Sequence, residues 1–500
     1  LHMMNTRAGV IIRNAQIYDG TGSPPFDADI ALRGDRIVTV GQVEADAATT
    51  IDAKGLALAP GFIDVHSHDD FAVFFSPEMD FKVMQGVTTD IVGNCGSGVV
   101  PFDAAAKVFQ ARYPGNTAPQ WDGYPGYMDA IDRDPPSINV AVLVGHGTLR
   151  TGAMGIEQRE PVADELTRMR SWLREGMEAG AVGLSTGLIY EPGRYAKTDE
   201  IIALAHEVAA TGGLYASHMR NEAAYLLDAI RETIQIGEQA GVPVEISHHK
   251  ASGRENWGRV NESLLLIEQA RARGLDVTAD QYPYTSGSTT FYAVVQNNAL
   301  NQRGSQGGIG RVEPRHVLFA SAPHHPEYEG QTLQDLCDRF DLPAEDAARR
   351  IVDEEGTGAF VVIEMMDEAD VRTVMRHPTT MIGSDGVVAG SKPHPRLYGC
   401  FPRILGRYVR EEGLLSLEEA IYKMTGFPAA KFRLTDRGQI REGAYADLVL
   451  FDPATVIDTG TYAEPKQYPR GMPHVFVNGV QVVRDGRHTG ARSGRVVRRG

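Results

Sequence analysis

The sequence has little of what marks secreted, membrane or nucleic-acid-binding proteins. Three cysteines among 500 residues cannot build a disulfide framework and fit a reducing compartment, so we expect a cytoplasmic protein. No apolar run is long enough for a membrane span, and no basic-then-apolar leader typical of a signal peptide is evident. The net charge of −16 argues against nucleic acid or an anionic membrane as the main partner, because both attract basic surfaces.

What the sequence does contain is typical of a globular protein with more than one domain, being 42% hydrophobic and 23% charged. Residues 9–60 alternate short β-type runs with Gly and Asp turns, and such runs return in "GAYADLVLFDP" and "PHVFVNGVQVVRDG". We therefore predict that residues 5–61 and 430–490 pair into one small β-sandwich domain. The Gly/Arg-rich end, "GARSGRVVRRG", is predicted to fray.

The stretch between these segments, residues 62–429, alternates apolar strands with segments of helical period. This rhythm is typical of βα units around a parallel sheet, and eight strands are the number that closes a (β/α)₈ barrel. Residues 287–358 form an insertion between strands seven and eight, with a glycine-rich part that could act as a lid and a pair of helices. The strand candidates are "GFIDVH", "VTTDIVGNCG", "INVAVLVGHG", "AVGLSTGLIY", "GLYASHMR", "VPVEISHHK", "LDVTADQYPY" and "TTMIGSDG".

Side chains that bind metals end five of these strands. In a (β/α)₈ barrel the carboxyl ends of all strands converge on one mouth, so residues distant in sequence can meet there. A lone histidine at a strand end is more often structural, but the convergence of four histidines, one cysteine and one aspartate favours a metal site. Imidazole, thiolate and carboxylate groups together suit zinc, which accepts N, S and O donors. The set comprises His66 and His68, which share one face of strand one, Cys95, His218, His248 and Asp385.

Other residues of the same types are weaker candidates. Cys337 and Cys400 do not end barrel strands, so we interpret both as packing residues. His249 points away from His248 and is expected to be structural or to support a ligand, and His146 could line the mouth without binding metal. The carboxylates of Asp69, Asp70 and Asp280 are less well placed than that of Asp385.

Taken together, the motifs resemble those of the N-acyl-D-amino-acid deacylases, or D-aminoacylases, of the amidohydrolase superfamily. The resemblance spans nearly the whole chain through "PGFIDVHSHDD", "GNCGSG", "STGLIYEPG", "ASHMRNE", "EISHHKASG", "DQYPYTSGST", "GSDG", "HPRLYG" and "ADLVLFDP". It implies an α/β fold with a distorted (β/α)₈ TIM-like barrel and a small β-sandwich. It also implies zinc-dependent hydrolysis of small N-acyl-D-amino acids to a carboxylate and a free D-amino acid.

The resemblance further assigns the metal ligands. One tightly held zinc would be bound by Cys95, His218 and His248, while a weaker second metal position would lie among His66, His68 and Asp385. Strand four, "AVGLSTGLIY", has no lysine that could carry the bridging carbamate of many other amidohydrolases. The resemblance predicts that the thiolate of strand two takes over that bridging role.

A mechanism follows from a zinc with three protein ligands, since its fourth position is open and a bound water becomes acidic enough to ionise near pH 7. We expect Asp385 to accept the water's proton as general base and to return it to the leaving amine as general acid. Tyr190 could help to stabilise the oxyanion, or it could be a core or rim tyrosine.

The substrate's carboxylate needs cationic and hydroxyl partners. Lys250 has the strand parity of His248, and Arg396 follows strand eight, so both could hold the carboxylate. Tyr282 and Ser288 could add hydroxyl donors, and these four positions match the family's carboxylate-binding region.

The substrate's side chain is harder to predict. Arg303 and Arg311 in the insertion could meet an acidic side chain or could be solvated, and we favour a neutral side chain. Two alternatives stay open: another amide or cyclic-amide hydrolase, dihydropyrimidinase-like or dipeptidase-like, and a non-catalytic barrel scaffold. The sequence does not indicate an oligomeric state.

Overall fold

A computed structural model describes residues 8–301 and 306–500, so Arg303 lies outside the described residues. Its strands are β1 Ala8–Ile17, β2 Phe26–Arg33, β3 Arg36–Gly41, β4 Ala47–Asp52, β5 Ala57–Pro60, β6 Phe62–Asp64, β7 Val87–Val92, β8 Asn139–Gly145, β9 Gly183–Gly187, β10 Leu214–His218, β11 Val244–Ile246, β12 Val277–Gln281, β13 Ser286–Thr290, β14 Val317–Ser321, β15 Phe360–Glu364, β16 Thr380–Ile382, β17 Leu448–Phe451, β18 His474–Val477, β19 Val480–Arg484 and β20 Arg487–His488.

The α-helices lie mainly between the strands of the barrel, and a π-helical segment, Ile404–Glu411, continues the fourteenth. No helix in either described range combines the length and hydropathy needed to cross a bilayer. The helices are α1 Ala72–Phe75, α2 Asp80–Val83, α3 Phe102–Arg112, α4 Gly123–Arg133, α5 His146–Met154, α6 Ala163–Ala179, α7 Thr198–Ala209, α8 Leu226–Ala240, α9 Val260–Ala272, α10 Phe291–Gln296, α11 Leu333–Phe340, α12 Ala344–Glu355, α13 Glu368–Arg376, α14 Arg396–Arg403, α15 Leu417–Met424 and α16 Gly426–Lys431.

The central sheet is the predicted barrel of eight parallel strands. Its strands run in the order β6-β7-β8-β9-β10-β11-β12-β16, and a parallel bridge from Ser67 to Gly386 joins the first strand's tip to the last. Strands β7 to β12 are buried along their whole length, which explains why their sequences are continuous rather than alternating apolar runs. The fold is therefore an α/β barrel, as predicted.

The barrel's outer helices follow from apolar residues at helical spacing. In α8, Leu226, Ile230 and Ile234 recur every four residues, and all three are buried. The helix ends at Ala240 and is capped by Gly241, whose φ of 71° is left-handed and therefore favours glycine. Helices α6, α7, α8 and α9 are among the segments of helical period that were predicted between the barrel strands.

A second sheet contains strands from both ends of the chain. Its order is β20-β19-β18-β17-β5-β1-β2-β3, with β4 pairing in parallel beside β1. The antiparallel pairing of β5 with β17 joins the two halves, which are far apart in sequence. Buried side chains of β1, β2, β5, β17 and β18 share one apolar cluster, the core of this small β-domain.

The insertion lies between β12 and β16 and builds its own sheet, in the order β13-β15-β14. Helices α11 and α12 confirm the predicted helix pair, and strand β15 forms the middle of the sheet. Antiparallel pairing of β13 with β15 sets Ser288 opposite Val362. This three-stranded sheet brings residues of β13 to the barrel mouth.

The prediction that the last residues fray is wrong. Val496 is buried and bridges in parallel to Val140 of β8, and the N–H of Val497 donates to the carbonyl of Val140 at 2.8 Å. The N–H of Arg499 donates to the carbonyl of Gly180 at 2.9 Å. Composition could not predict this pairing, because it depends on backbone groups near the amino ends of the barrel strands that are available to pair with the tail.

Candidate metal centre and active site

Three predicted ligands meet at the carboxyl end of the barrel. Nε2 of His248 lies 2.8 Å from Nδ1 of His218 and 3.6 Å from Sγ of Cys95. His218 is the last residue of β10, whereas Cys95 and His248 lie on turns just beyond β7 and β11 with φ of 54° and 35°. Non-glycine residues adopt such a backbone only when surrounding contacts enforce it, so these turns aim both side chains inward.

The glycines around Cys95 allow this turn to pack tightly. A Cβ added to Gly96 would lie 2.8 Å from the backbone nitrogen of Gly187, and one added to Gly93 would lie 2.1 Å from the carbonyl oxygen of Leu143. The backbone after β7 therefore lies directly against neighbouring strands, which holds the thiol at the mouth.

A second group of ligand atoms adjoins the first. Nε2 of His66 lies 3.3 Å from Sγ of Cys95 and 3.5 Å from Oδ1 of Asp385, while Nε2 of His68 lies 3.0 Å from the same carboxylate oxygen. Sets of three ligand atoms, all within 4.8 Å of one another, form around Cys95 with His218 and His248 and around His66 with His248 and Asp385. Nitrogen, sulfur and oxygen donors that converge in a buried space fit a zinc site, with Cys95 between two positions.

The charges of the cluster agree with this fit. Burial raises the pKa of the Cys95 thiol, but the charge of His66 and hydrogen bonds with His218 and His248 outweigh it and hold the pKa well below the usual range. The thiolate, which is the form that binds metals, is therefore favoured at position 95.

Two carboxylates orient the imidazoles from behind. Oδ2 of Asp280 lies 3.2 Å from the ring Nδ1 of His66, and its Oδ1 accepts from the backbone N–H of His248 at 2.8 Å. Oε1 of Glu222 lies 2.8 Å from Nδ1 of His248. A carboxylate that accepts from one ring nitrogen leaves the opposite nitrogen free to bind a metal. Nζ of Lys250 also lies 2.7 Å from Nδ1 of His248, so Glu222 and Lys250 meet at the same ring nitrogen. The sequence prediction missed Glu222, for which the spacing of four residues after His218 in "HMRNE" was the available signal.

Asp385 lies on another strained turn, with φ of 50°, and its N–H donates to the carbonyl of His66 at 2.7 Å. Nη2 of the fully buried Arg396 lies 2.9 Å from its Oδ2. Burial raises the pKa of this carboxyl, but Arg396 and His66 outweigh burial and hold the pKa well below the usual value. The ionised form, which a general base requires, is therefore favoured at position 385.

Below the histidines lies a buried ion cluster that sequence reasoning also missed. Nζ of Lys82, from α2, donates to Oδ2 of Asp64 and lies 3.2 Å from Asp69 and 3.5 Å from Asp90. All four side chains are fully buried. Burial lowers the pKa of Lys82, but the three carboxylates outweigh it and hold the pKa well above the usual range.

The ion cluster links the residues that follow the first and last strands of the barrel, β6 and β16. Oδ1 of Asp64 accepts from the N–H of His66 at 3.2 Å and from the N–H of Ser384 at 2.8 Å. Nζ of Lys82 also donates to Oγ of Ser384 at 3.1 Å. The cluster thus fixes the backbone immediately before Asp385 to that of the first histidine.

A cavity beside the metal ligands contains four of the five predicted substrate contacts. We call it the amino-acid cavity; Tyr190, Lys250, Tyr282 and Ser288 line it together with Asp385. Nζ of Lys250 lies 2.9 Å from Glu222, and the hydroxyl of Tyr190 lies 3.0 Å from Oγ1 of Thr289.

The fifth predicted contact, Arg396, lies behind this cavity. Its guanidinium carbon is 4.2 Å from the ring centroid of Tyr282, and the side chain is fully buried. Within the described chain, its Nε and Nη1 have no hydrogen-bond partner. Arg396 therefore contacts the carboxylate of Asp385 and the face of Tyr282 rather than the cavity itself.

The weaker candidates lie in other surroundings. Nε2 of His146 lies 2.8 Å from Glu200, and Nε2 of His249 lies 2.7 Å from Oγ of Ser263. The thiols of Cys337 in α11 and Cys400 in α14 are free and buried, as expected of packing residues. Arg311 is exposed.

Comparisons with known proteins agree with this architecture. The amidohydrolase family model matches residues 49–338 and 266–483. A D-aminoacylase of Alcaligenes xylosoxydans xylosoxydans is 40% identical over 494 residues, which cover 98% of this chain and 97% of that protein. An N-acyl-D-aspartate deacylase of the same organism is 40% identical over 497 residues, which cover 98% of this chain and 95% of that protein.

A solved structure is also similar over its full length. It is an N-acyl-D-glutamate deacylase from Bordetella bronchiseptica, complexed with zinc and a phosphonate inhibitor that mimics the tetrahedral intermediate. The TM-score is 0.89 and the identity 38%, with 98% of this chain and 100% of that chain covered. The chain described above therefore belongs to the amidohydrolase family, and within it to the group of D-aminoacylases.

Proposed function

We propose that the protein is a zinc-dependent hydrolase that removes the acyl group from N-acyl-D-amino acids and releases a carboxylate and a free D-amino acid. The observation that carries the proposal is the convergence of Cys95, His218 and His248 beside a cavity with a buried cation, Lys250. Relatives that act on three kinds of D-amino acid derivative, each with at least 38% identity, support the choice of a linear amide.

In this proposal Cys95, His218 and His248 would hold one zinc tightly, and His66, His68 and Asp385, which lie next to Cys95, would provide a weaker second position. Bound zinc supplies Lewis acidity, which polarises the amide carbonyl and lowers the pKa of a coordinated water. Asp280 and Glu222 keep the imidazoles in the tautomer that can bind.

Asp385 carries the proton. Its ionised carboxylate accepts the proton released when water attacks the carbonyl carbon, and then delivers it to the amine nitrogen as the C–N bond breaks. Arg396 holds one oxygen at 2.9 Å and His68 the other at 3.0 Å, so the carboxylate has a fixed direction toward the amino-acid cavity. Tyr190 lines the same cavity and can donate to the developing oxyanion.

The substrate's α-carboxylate is held by Lys250, Tyr282 and Ser288. Lys250 supplies the charge, and the two hydroxyls supply directed hydrogen bonds. Arg396 extends this positive region from behind the ring of Tyr282. The site holds three groups attached to the α-carbon: the carboxylate, the amide with its scissile carbonyl, and the side chain. An L-enantiomer has the opposite arrangement at this carbon and cannot place all three groups at once.

The substrate's side chain is neutral and apolar in our proposal. Ile189, Ile309 and Met365 line the amino-acid cavity, and among its described lining residues Lys250 is the cation other than histidine. Lys250 is engaged with Glu222 and with the α-carboxylate, so an acidic side chain would be buried without a partner of its own.

A small panel of substrates tests the proposal. The zinc-loaded protein should hydrolyse N-acetyl-D-methionine faster than its L-enantiomer, N-acetyl-D-glutamate or a hydantoin. Equal rates on the two methionine enantiomers would reject the D-specific assignment, and preferential hydantoin cleavage would identify a cyclic-amide hydrolase. Absence of bound zinc together with absence of hydrolysis after zinc addition would point to a scaffold.

A further inference from the structure

Strand β9 provides no metal ligand, yet it lies directly against the turn that carries Cys95. None of the ligand sets in the described parts of the chain includes a residue of this strand, and its sequence has no lysine. A Cβ added to Gly187, the last residue of β9, would lie 2.1 Å from the carbonyl oxygen of Cys95. The strand is therefore close enough to hold the turn in place.

The turn itself has an unusual backbone for a cysteine. It comprises residues 94–97, in which the N–H of Ser97 donates to the carbonyl of Asn94 at 3.0 Å. The two central residues, Cys95 and Gly96, have φ of 54° and 73°. Turns with two positive φ values favour glycine, asparagine or aspartate at both central positions. Cys95 therefore depends on contacts outside the turn to keep this conformation.

Ser185, in the middle of β9, supplies such contacts on both sides of Cys95. Its hydroxyl donates to the carbonyl of Gly93 and accepts from the N–H of Gly96 at 3.0 Å. The side chain is fully buried, so no bulk water replaces either bond when the hydroxyl is removed. One oxygen atom thus links the backbone before the cysteine to the backbone after it.

We propose that Ser185 is a positioning residue for the metal centre, which holds the turn so that the Cys95 thiolate faces the ligating histidines; this inference rests on the proposed function. Sγ lies 3.3 Å from Nε2 of His66 and 3.6 Å from Nε2 of His248, so a rotation of the turn would withdraw the sulfur from both. The fourth barrel strand then provides the hydroxyl that orients a ligand from the second strand, in place of a ligand of its own.

Thr186, the next residue of β9, provides a matched control. It is also buried, but its hydroxyl lies 2.8 Å from the hydroxyl of Tyr215 and 3.2 Å from that of Ser217, both on β10. Ser185→Ala and Thr186→Val each remove one buried hydroxyl with two partners, so a general loss of stability should appear in both. An effect on the metal centre should appear in Ser185→Ala alone.

Cobalt-substituted protein gives a direct readout of the sulfur ligand. Co(II) accepts the same nitrogen and sulfur donors as zinc, and its bond to a thiolate produces a charge-transfer band in the near ultraviolet. Ser185→Ala should lose most of the intensity of this band and bind zinc roughly 10- to 100-fold more weakly than wild type. Ser185→Thr, which keeps the hydroxyl, should recover the band and part of the affinity, and Thr186→Val should match wild type in both measurements.

A wild-type band and wild-type zinc affinity in Ser185→Ala would overturn the proposal, as would equal losses in Ser185→Ala and Thr186→Val. If the wild type binds no cobalt, or binds it without the band, the ligand assignment of Cys95 and with it the proposed function fail. Crystal structures of the metal-free wild type and Ser185→Ala then decide on the turn alone. A φ of Cys95 that leaves the left-handed region in the variant supports the positioning role, and an unchanged turn contradicts it.

Discussion

The carboxylate of Glu222 lies 2.8 Å from Nδ1 of His248, on the ring edge opposite the nitrogen that approaches Cys95 and His218. The same oxygen is 2.9 Å from Nζ of Lys250. Glu222 thus links a predicted zinc ligand to the residue predicted to hold the substrate's carboxylate. It joins metal affinity and substrate binding in one contact.

We therefore expect Glu222→Gln to weaken both zinc affinity and substrate binding. Loss of an ionised partner for a ligating histidine should lower zinc affinity by roughly 10- to 100-fold. Without its carboxylate neighbour, Lys250 should also change its contact with the substrate, so that KM changes as well as kcat. Zinc titration with a competing chelator and steady-state kinetics measure the two effects.

Glu200 provides a matched control, because it is also a buried carboxylate bound to a histidine, His146, at 2.8 Å. Since His146 lies outside the ligand cluster, Glu200→Gln should leave zinc affinity unchanged. An equal loss of zinc affinity in both variants would show that the effect is general destabilisation.

The cysteines provide a second prediction. Cys95→Ala and His218→Ala should each lose the tightly held zinc, because three ligands are needed to hold it and one is removed. Cys337→Ala removes another buried thiol, in α11, and should retain zinc. Metal content per chain after dialysis measures this; full zinc occupancy in Cys95→Ala would contradict the ligand assignment.

A third prediction separates metal binding from proton transfer. Asp385→Ala should keep the tightly held zinc, since Cys95, His218 and His248 remain, but turnover should fall by roughly 10²- to 10⁴-fold. Arg396 would also lose its ion-pair partner, so the thermal midpoint should be recorded alongside the rate. A variant with wild-type turnover would refute the proton-transfer role.

The parts of this site that sequence could predict are those set by strand periodicity. A histidine pair two residues apart after an apolar run, and polar residues after later runs, are enough to place side chains at one barrel mouth. Glu222 and Lys82 could not be found this way, because their partners come from other elements and a charged residue is most often solvated. Arg396 was correctly placed near the site, but its contact with Asp385 depends on the course of α14.

Lys82 leads to the last prediction. Its ammonium is fully buried among Asp64, Asp69 and Asp90, and Asp64 in turn accepts from the backbone of His66 and Ser384. Lys82→Met would leave buried carboxylates without their cation, which should destabilise the fold by about 3–5 kcal/mol. Since the cluster fixes the backbone before Asp385, turnover should fall more than the loss of folded protein explains, with the zinc at Cys95, His218 and His248 retained.

Lys82→Arg, which keeps the charge, should recover part of the stability and part of the turnover. Chemical denaturation and rates normalised to folded protein measure these effects; normal turnover in a destabilised but folded Lys82→Met protein would show that the cluster does not position Asp385.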